Sequence, residues 1–246
     1  GAVGALQYGV SEGFMFFREE LRGFLADVGV KTDSTDNLFV VSGGQQGIDL
    51  MCKVFLDKGD VVLVENPTYL AFLQIAATYE ARVIGVKSDG SGLDLNDLED
   101  KIKRYSPKLI YTVPTFSNPT GRSYSLDNRK GIAALASRYD VMVLEDDPYG
   151  RLRFSGQPLP ALKSFDTTDN VVYVTSFSKI LSPGLRVGVM AGGKEVIRKL
   201  VIAKQGTDLH TASLSQLIAF EYLKRGCLKP NIARSLPIYR HRAKAM

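Results

Sequence analysis

Seven short runs of β-branched and other apolar residues, most of them separated by longer amphipathic segments, limit the fold of this chain more than any other feature. The runs are Leu38–Val41, Val61–Val64, Arg82–Val86, Leu109–Val113, Val141–Glu145, Val171–Thr175 and Arg186–Ala191. Helical patterns cover Ser11–Asp27, Gln45–Leu56, Pro67–Tyr79, Asp94–Tyr105, Ser125–Tyr139 and Lys194–Gln205. Continuous apolar strands interleaved with amphipathic helices belong to a parallel sheet covered on its faces. The expected fold is therefore α/β, a mostly parallel seven-stranded sheet flanked by helices. Pro67 suits the first turn of a helix, and Ser125 with Asp127 and Asn128 behind it is a helix start.

Composition narrows the class of function. At 246 residues, with 45% hydrophobic and 23% charged side chains, the chain can bury a large core. Its formal charge of +5 comes from 31 basic and 26 acidic residues without a dense basic run, so no nucleic-acid partner is expected. Cys52 and Cys227 are far apart and form no CxxC pair, which argues against a disulfide framework or zinc site and for a reducing compartment. No apolar stretch approaches the roughly 20 residues that span a bilayer, and the opening Gly-Ala-Val-Gly lacks a signal-peptide pattern. The expectation is a cytoplasmic protein with no membrane partner. Neither histidine, His210 or His241, has a carboxylate or nucleophile beside it in a turn, which argues against a Ser-His-Asp hydrolase.

The chemistry concentrates at the ends of the expected strands, where open α/β sheets bind ligands. After Val171–Thr175 comes Ser176-Phe177-Ser178-Lys179, and Arg186 follows beyond a Pro183-Gly184 turn. A lysine there can anchor an aldehyde cofactor, with Ser176 and Arg186 holding a phosphate. Asp146 follows Val141–Glu145 and can keep a pyridine nitrogen protonated, while Tyr149 can donate to a phenolic oxygen from the same loop. Asn118, in Asn118-Pro119-Thr120-Gly121, offers a second donor. Ser42-Gly43-Gly44-Gln45-Gln46 joins strand to helix, where free N–H groups attract phosphate. Tyr69 can stack on an aromatic ring. Singly, each has an ordinary reading as an acidic turn, an Asn-Pro turn, a glycine turn or a packing tyrosine. Their order and shared placement point to one site.

Together these motifs, with Asn66-Pro67-Thr68-Tyr69 and Asp146-Asp147-Pro148-Tyr149, resemble those of the fold-type I, class I/II aminotransferases, over nearly the whole chain. The likeness is strongest to the branch with 2-aminoadipate/kynurenine aminotransferases and the aminotransferase-like domains of some GntR-type regulators. The resemblance implies pyridoxal 5'-phosphate as cofactor, bound as a Schiff base to Lys179. Asp146 then pairs with the ring nitrogen, Tyr149 and Asn118 hold the phenolic oxygen, and Tyr69 stacks on the ring. Gly44, Gln45, Ser176 and Arg186 bind the phosphate. Catalysis falls to Lys179, Asp146 and Tyr69. Tyr8 matches a tyrosine that reaches the neighbouring subunit's phosphate, which implies a homodimer.

The implied reaction moves an amino group from an amino acid of the 2-aminoadipate, aromatic or branched-chain type to a 2-oxo acid such as 2-oxoglutarate. The alternatives that share these residues are the effector domain of a GntR-type regulator and a pyridoxal-phosphate lyase. Gly44 stands where many relatives carry serine, which takes one hydroxyl from the phosphate set. Residues 1–235 are expected to form the cofactor-binding large domain, and residues 236–246 to start a helix leading to an absent C-terminal small domain. That domain carries the family's usual carboxylate-clamping arginine, and the N-terminal segment that closes over the substrate is also expected to be missing.

Overall fold

A computed structural model describes residues 6–245. The main sheet has the strand order β1-β9-β8-β7-β6-β2-β3, in which β1 is Leu38–Val41, β2 Val61–Glu65, β3 Arg82–Val86, β6 Leu109–Thr112, β7 Met142–Asp146, β8 Val171–Ser176 and β9 Gly188–Ala191. Every pairing is parallel except those of β9, which runs antiparallel to both β1 and β8. The seven-stranded, mostly parallel α/β sheet expected from the apolar runs is thus present, each run within two residues of its expected limits. A two-stranded ribbon, β4 (Ser88–Asp89) with β5 (Gly92–Leu93), was not anticipated. Its strands are too short to show an alternation of their own.

Around the sheet lie α1 (Met15–Ala26), α2 (Gly44–Phe55), α3 (Leu70–Thr78), α4 (Leu95–Tyr105), α5 (Leu126–Tyr139), α6 (Lys194–Gln205), α7 (Ser213–Lys224) and α8 (Leu228–Ala245). Apolar side chains on the two faces of the sheet form separate clusters. One contains Phe39, Val62, Tyr111, Val172 and Met190 under α2, α3 and α6; another contains Phe17, Leu21, Val40, Tyr173 and Val189 under α1 and α7. Ser125 caps α5 as expected, its hydroxyl accepting from the Asn128 N–H at 3.2 Å.

Four helical readings need correction. The helix expected from Ser11 begins at Met15, because Gly13 takes φ +92° against Val40 and the Phe14 N–H is held by Gln216 Oε1 at 3.1 Å. The helix expected from Pro67 begins at Leu70, since Tyr69 is extended (φ −65°, ψ 120°) and serves as the N-cap residue. Helix α7 was not anticipated: its apolar residues are not gathered on one face, with Leu214 and Ile218 exposed while Ser213 and Gln216 are buried. The last helix starts at Leu228 rather than at residue 236 and carries Pro237 within it. Leu228 and Ile232 join the α1-side cluster and Asn231 donates to the Ile180 carbonyl at 2.9 Å, so its first turns are docked.

Candidate active site

Strand register brings the chemistry-bearing residues to one edge of the sheet. Val41 of β1 faces Gly188 of β9, and Gly188 faces Ser176 of β8, so the turn after β1, the loop after β8 and the approach to β9 meet. Beside them are the loops leaving β7, β6 and β2. A cavity of about 340 Å³ opens there, lined by Gly44, Gln45, Tyr69, Tyr111, Asn118, Asp146, Tyr149, Ser176, Lys179 and Arg186 among others. Every site residue named from the sequence lines this cavity except Tyr8. Tyr8 is 84% exposed, with its ring 6.0 Å from that of His210.

The turn between β1 and α2 is shaped by Gly43. Its φ of 83° and ψ of 165° lie in a region essentially reserved for glycine, and a Cβ there would stand 2.4 Å from Nη2 of Arg186. The guanidinium therefore packs directly against the backbone that starts α2. No side chain caps α2, so the first N–H groups of the helix are left to a ligand. Arg186 itself is in the left-handed region at φ 51°, which costs roughly 1–2 kcal/mol for a residue with a Cβ. Its Nη1 donates to Ser178 Oγ at 3.3 Å. Ser176 Oγ accepts from the Ser178 N–H at 3.2 Å, which folds the loop ahead of Lys179. Lys179 is exposed to the cavity, and no described residue hydrogen-bonds to its amine.

Asp146 ends β7 and is buried, with Oδ2 accepting from the hydroxyl of Tyr111 at 2.9 Å. Burial raises its carboxyl to about 7, with Asp147 adding to the rise and Tyr111 opposing it. Asp147 points the other way: its Oδ1 accepts from the Gly150 N–H at 2.8 Å and its Oδ2 from Tyr173 Oη at 2.9 Å, pinning the loop that carries Tyr149. The Tyr149 phenol is pushed up by burial, then by Asp146 and Tyr69, with Asn118 acting against them. Tyr69 leans over the start of α2, its hydroxyl 3.4 Å from Gln45 Oε1.

Three supporting groups were missed in the sequence. Tyr111 is one, an aromatic hydroxyl beside Thr112 in a run that is otherwise apolar, and that polar interruption was its signal. Glu65 is another: buried at the end of β2, it accepts from Ser117 Oγ at 2.6 Å and Tyr124 Oη at 2.9 Å, and so ties down the segment leading to Asn118. The third is Lys204 in α6, whose side chain is wholly buried. Its signal was a lysine at an apolar position of an amphipathic helix. Among the described residues, no group of three or more His, Cys, Asp and Glu side chains gathers as metal ligands.

The chain is 40% identical over 250 residues to aromatic-amino-acid aminotransferase 1 of Thermococcus litoralis, covering 100% of this chain and 60% of that protein. It is 39% identical over 246 residues to the 2-aminoadipate transaminase of Thermus thermophilus, covering 98% and 62%. The crystal structure of Pyrococcus horikoshii kynurenine aminotransferase, in complex with PMP, KYN as substrates and KYA as products, superposes with a TM-score of 0.94 at 43% identity, over 99% of this chain and 61% of that one. The chain thus spans about 60% of the length of these relatives. The model of the family described as aminotransferase class I and II matches residues 3–226, and the chain belongs to that family.

Proposed function

We propose that this chain forms the pyridoxal-phosphate-binding part of an aminotransferase. The observation that carries the reading is the single cavity that gathers Lys179, Asp146, Asn118, Tyr149, Tyr69, Ser176 and Arg186 beside an uncapped helix start. These residues fit a phosphorylated aromatic aldehyde. The glycine turn against Arg186 is a cradle that a Cβ would fill, and the free N–H groups of α2 suit a dianion. A buried carboxylate already raised to about 7 suits a cationic ring nitrogen, which would draw it back to the ionised form.

Bound there, pyridoxal phosphate supplies an electron sink for a carbanion at the α-carbon of the amino acid. Lys179 would hold the cofactor through its amine, and the same amine, at the cavity wall, would serve as the base that takes and returns a proton at the substrate α-carbon. Asp146 holds the proton on the ring nitrogen. Tyr149 and Asn118 orient the phenolic oxygen, Tyr69 covers one face of the ring, and Ser176, Gly44, Gln45 and Arg186 hold the phosphate.

The amino donor is of the aromatic, 2-aminoadipate or kynurenine type, and the acceptor is a 2-oxo acid such as 2-oxoglutarate; the names of the relatives support this class. Tyr8, exposed and outside its own cavity, reaches the phosphate of a second copy in a homodimer. Two unpaired cysteines are in keeping with the cytoplasm. Among the described residues no helix is long and apolar enough to cross a membrane.

The test is borohydride reduction of the purified protein mixed with pyridoxal phosphate, followed by peptide mass analysis. A reduced adduct on Lys179, its loss in Lys179→Ala, and 2-oxo-acid-dependent consumption of amino acid are expected. An adduct elsewhere, or turnover that survives Lys179→Ala, overturns the reading.

A further inference from the structure

Only half of the glycine turn faces the cavity. Gly44 and Gln45 line it, while Ser42 and Gln46, on either side of them in sequence, point away from it toward the end of α6. There Gln46 Oε1 accepts from both the Ser42 N–H, at 2.8 Å, and the ammonium of Lys204, at 2.7 Å. Gln46 Nε2 donates to Asp208 Oδ2 at 2.7 Å, and Ser42 Oγ donates to the same oxygen at 2.8 Å. Lys204 completes the ring by donating to Asp208 Oδ1 at 2.8 Å and Oδ2 at 3.0 Å. The Lys204 side chain has no exposed surface, whereas Asp208 keeps 28% of its own.

We infer that Lys204, through Asp208 and Gln46, is a positioning residue for the anion cup: it clamps the two ends of the Ser42–Gln46 turn to α6 so that the N–H groups between them stay aimed at the cavity. The inference rests on the reading of this cavity as a phosphate site. Its physical basis is that the turn's own tie, from the Ser42 N–H to Gln46 Oε1, depends on a side-chain amide that Lys204 and Asp208 hold in place. Gly43 has the widest conformational freedom of any residue, and α2 has no capping side chain to fix its first turn. The clamp supplies both constraints from outside. It also keeps Gln46 from swinging into the cavity, since both ends of its amide are engaged.

The buried ammonium is well matched to this task. Lys204 is drawn down by burial and held up by Asp208, while burial of Asp208 is outweighed by its bonds from Lys204, Gln46 and Ser42, which leave its carboxyl below the usual range. The pair is close to neutral from a distance, so it acts on the cup through geometry rather than by adding charge to it. Lys204 does not line the cavity, and its hydrogen bonds go to Gln46 and Asp208 alone among the described residues, which separates it from Arg186.

The test compares pyridoxal phosphate with pyridoxal, which lacks the phosphate. Dissociation constants are measured by absorbance titration for the wild-type protein, Lys204→Met and the milder Ser42→Ala. In the wild type the phosphate should confer a strong preference. Lys204→Met should cut that preference about tenfold or more, the equivalent of one lost charge-assisted contact, with pyridoxal binding unchanged. Ser42→Ala should reduce it in the same direction and less, and decides the matter if Lys204→Met does not fold. A preference undiminished in the folded variants, or an equal loss for both ligands, overturns the positioning role. A wild-type protein without any preference instead overturns the phosphate reading of the cavity.

Discussion

The Tyr111 hydroxyl, on β6, donates to the buried Asp146 carboxylate on the adjacent strand β7 at 2.9 Å, and Phe72 of α3 stacks on the Tyr111 ring with centroids 3.9 Å apart. The stacked ring leaves the phenol few alternative orientations. Tyr111 is thus the residue that keeps Asp146 from rising further than burial and Asp147 already drive it. Its own phenol is pushed well above its ordinary range, first by burial and then by Asp146, so it remains a donor.

Tyr111→Phe should therefore raise the Asp146 carboxyl above about 7 and weaken pyridoxal phosphate binding about tenfold at neutral pH. The deficit should shrink as pH rises and Asp146 ionises in the variant too. Absorbance titrations at several pH values check this, and equal affinities at pH 7 would refute it.

Stability of the ligand-free protein should carry the signature of Asp146. Its carboxyl lies at 3.8 when unperturbed and about 7 in the fold. Between those values the folded chain keeps a proton that the unfolded chain has lost, so this group's contribution falls as pH rises across the window and is level above it. Asp146→Asn should therefore melt higher than wild type at pH 8 and nearly equal to it at pH 4. Thermal unfolding across pH measures the difference, and a gap that widens toward acid would contradict it.

Gly43→Ala is expected to destabilise by about 1–3 kcal/mol from the backbone alone, because φ 83° and ψ 165° exclude a Cβ. The new methyl would also displace Arg186 from the turn. Urea unfolding should report the first effect, and loss of the preference for pyridoxal phosphate over pyridoxal the second. A variant normal in both would show that the turn relaxes freely.

Glu65→Leu would leave the buried Ser117 hydroxyl without its acceptor and break the chain from Thr112 through Tyr124 to Glu65. A loss of about 2–4 kcal/mol is expected. Glu65→Gln keeps one acceptor oxygen and should lose less. Equal stability of Glu65→Leu and wild type in urea would show that these bonds contribute nothing net.

How far the site could be read from the chain depends on where each residue gets its meaning. Lys179, Asp146 and Asn118 were legible because each follows an apolar run in a turn whose local composition is distinctive, and Arg186 because it stands between a Pro-Gly turn and the next such run. Tyr69 was legible as a site residue while its helix was misplaced, since Pro67 is compatible with a helix start and only the extended Tyr69 backbone delays it. Helix α7 escaped because its apolar pattern is not segregated.

Chain-local physics determined the strands, the cap at Ser125 and the turn chemistry of the cavity residues, because alternation, capping and glycine dihedrals act between near neighbours in sequence. Tertiary structure alone decided that β9 runs against its neighbours, that Tyr111 meets Asp146, that Glu65 holds the Ser117 segment and that Lys204 reaches Gln46 across 158 positions. The pairing of a buried polar atom is set by what stands within about 3 Å of it, and that neighbourhood exists only once the strands have taken their register.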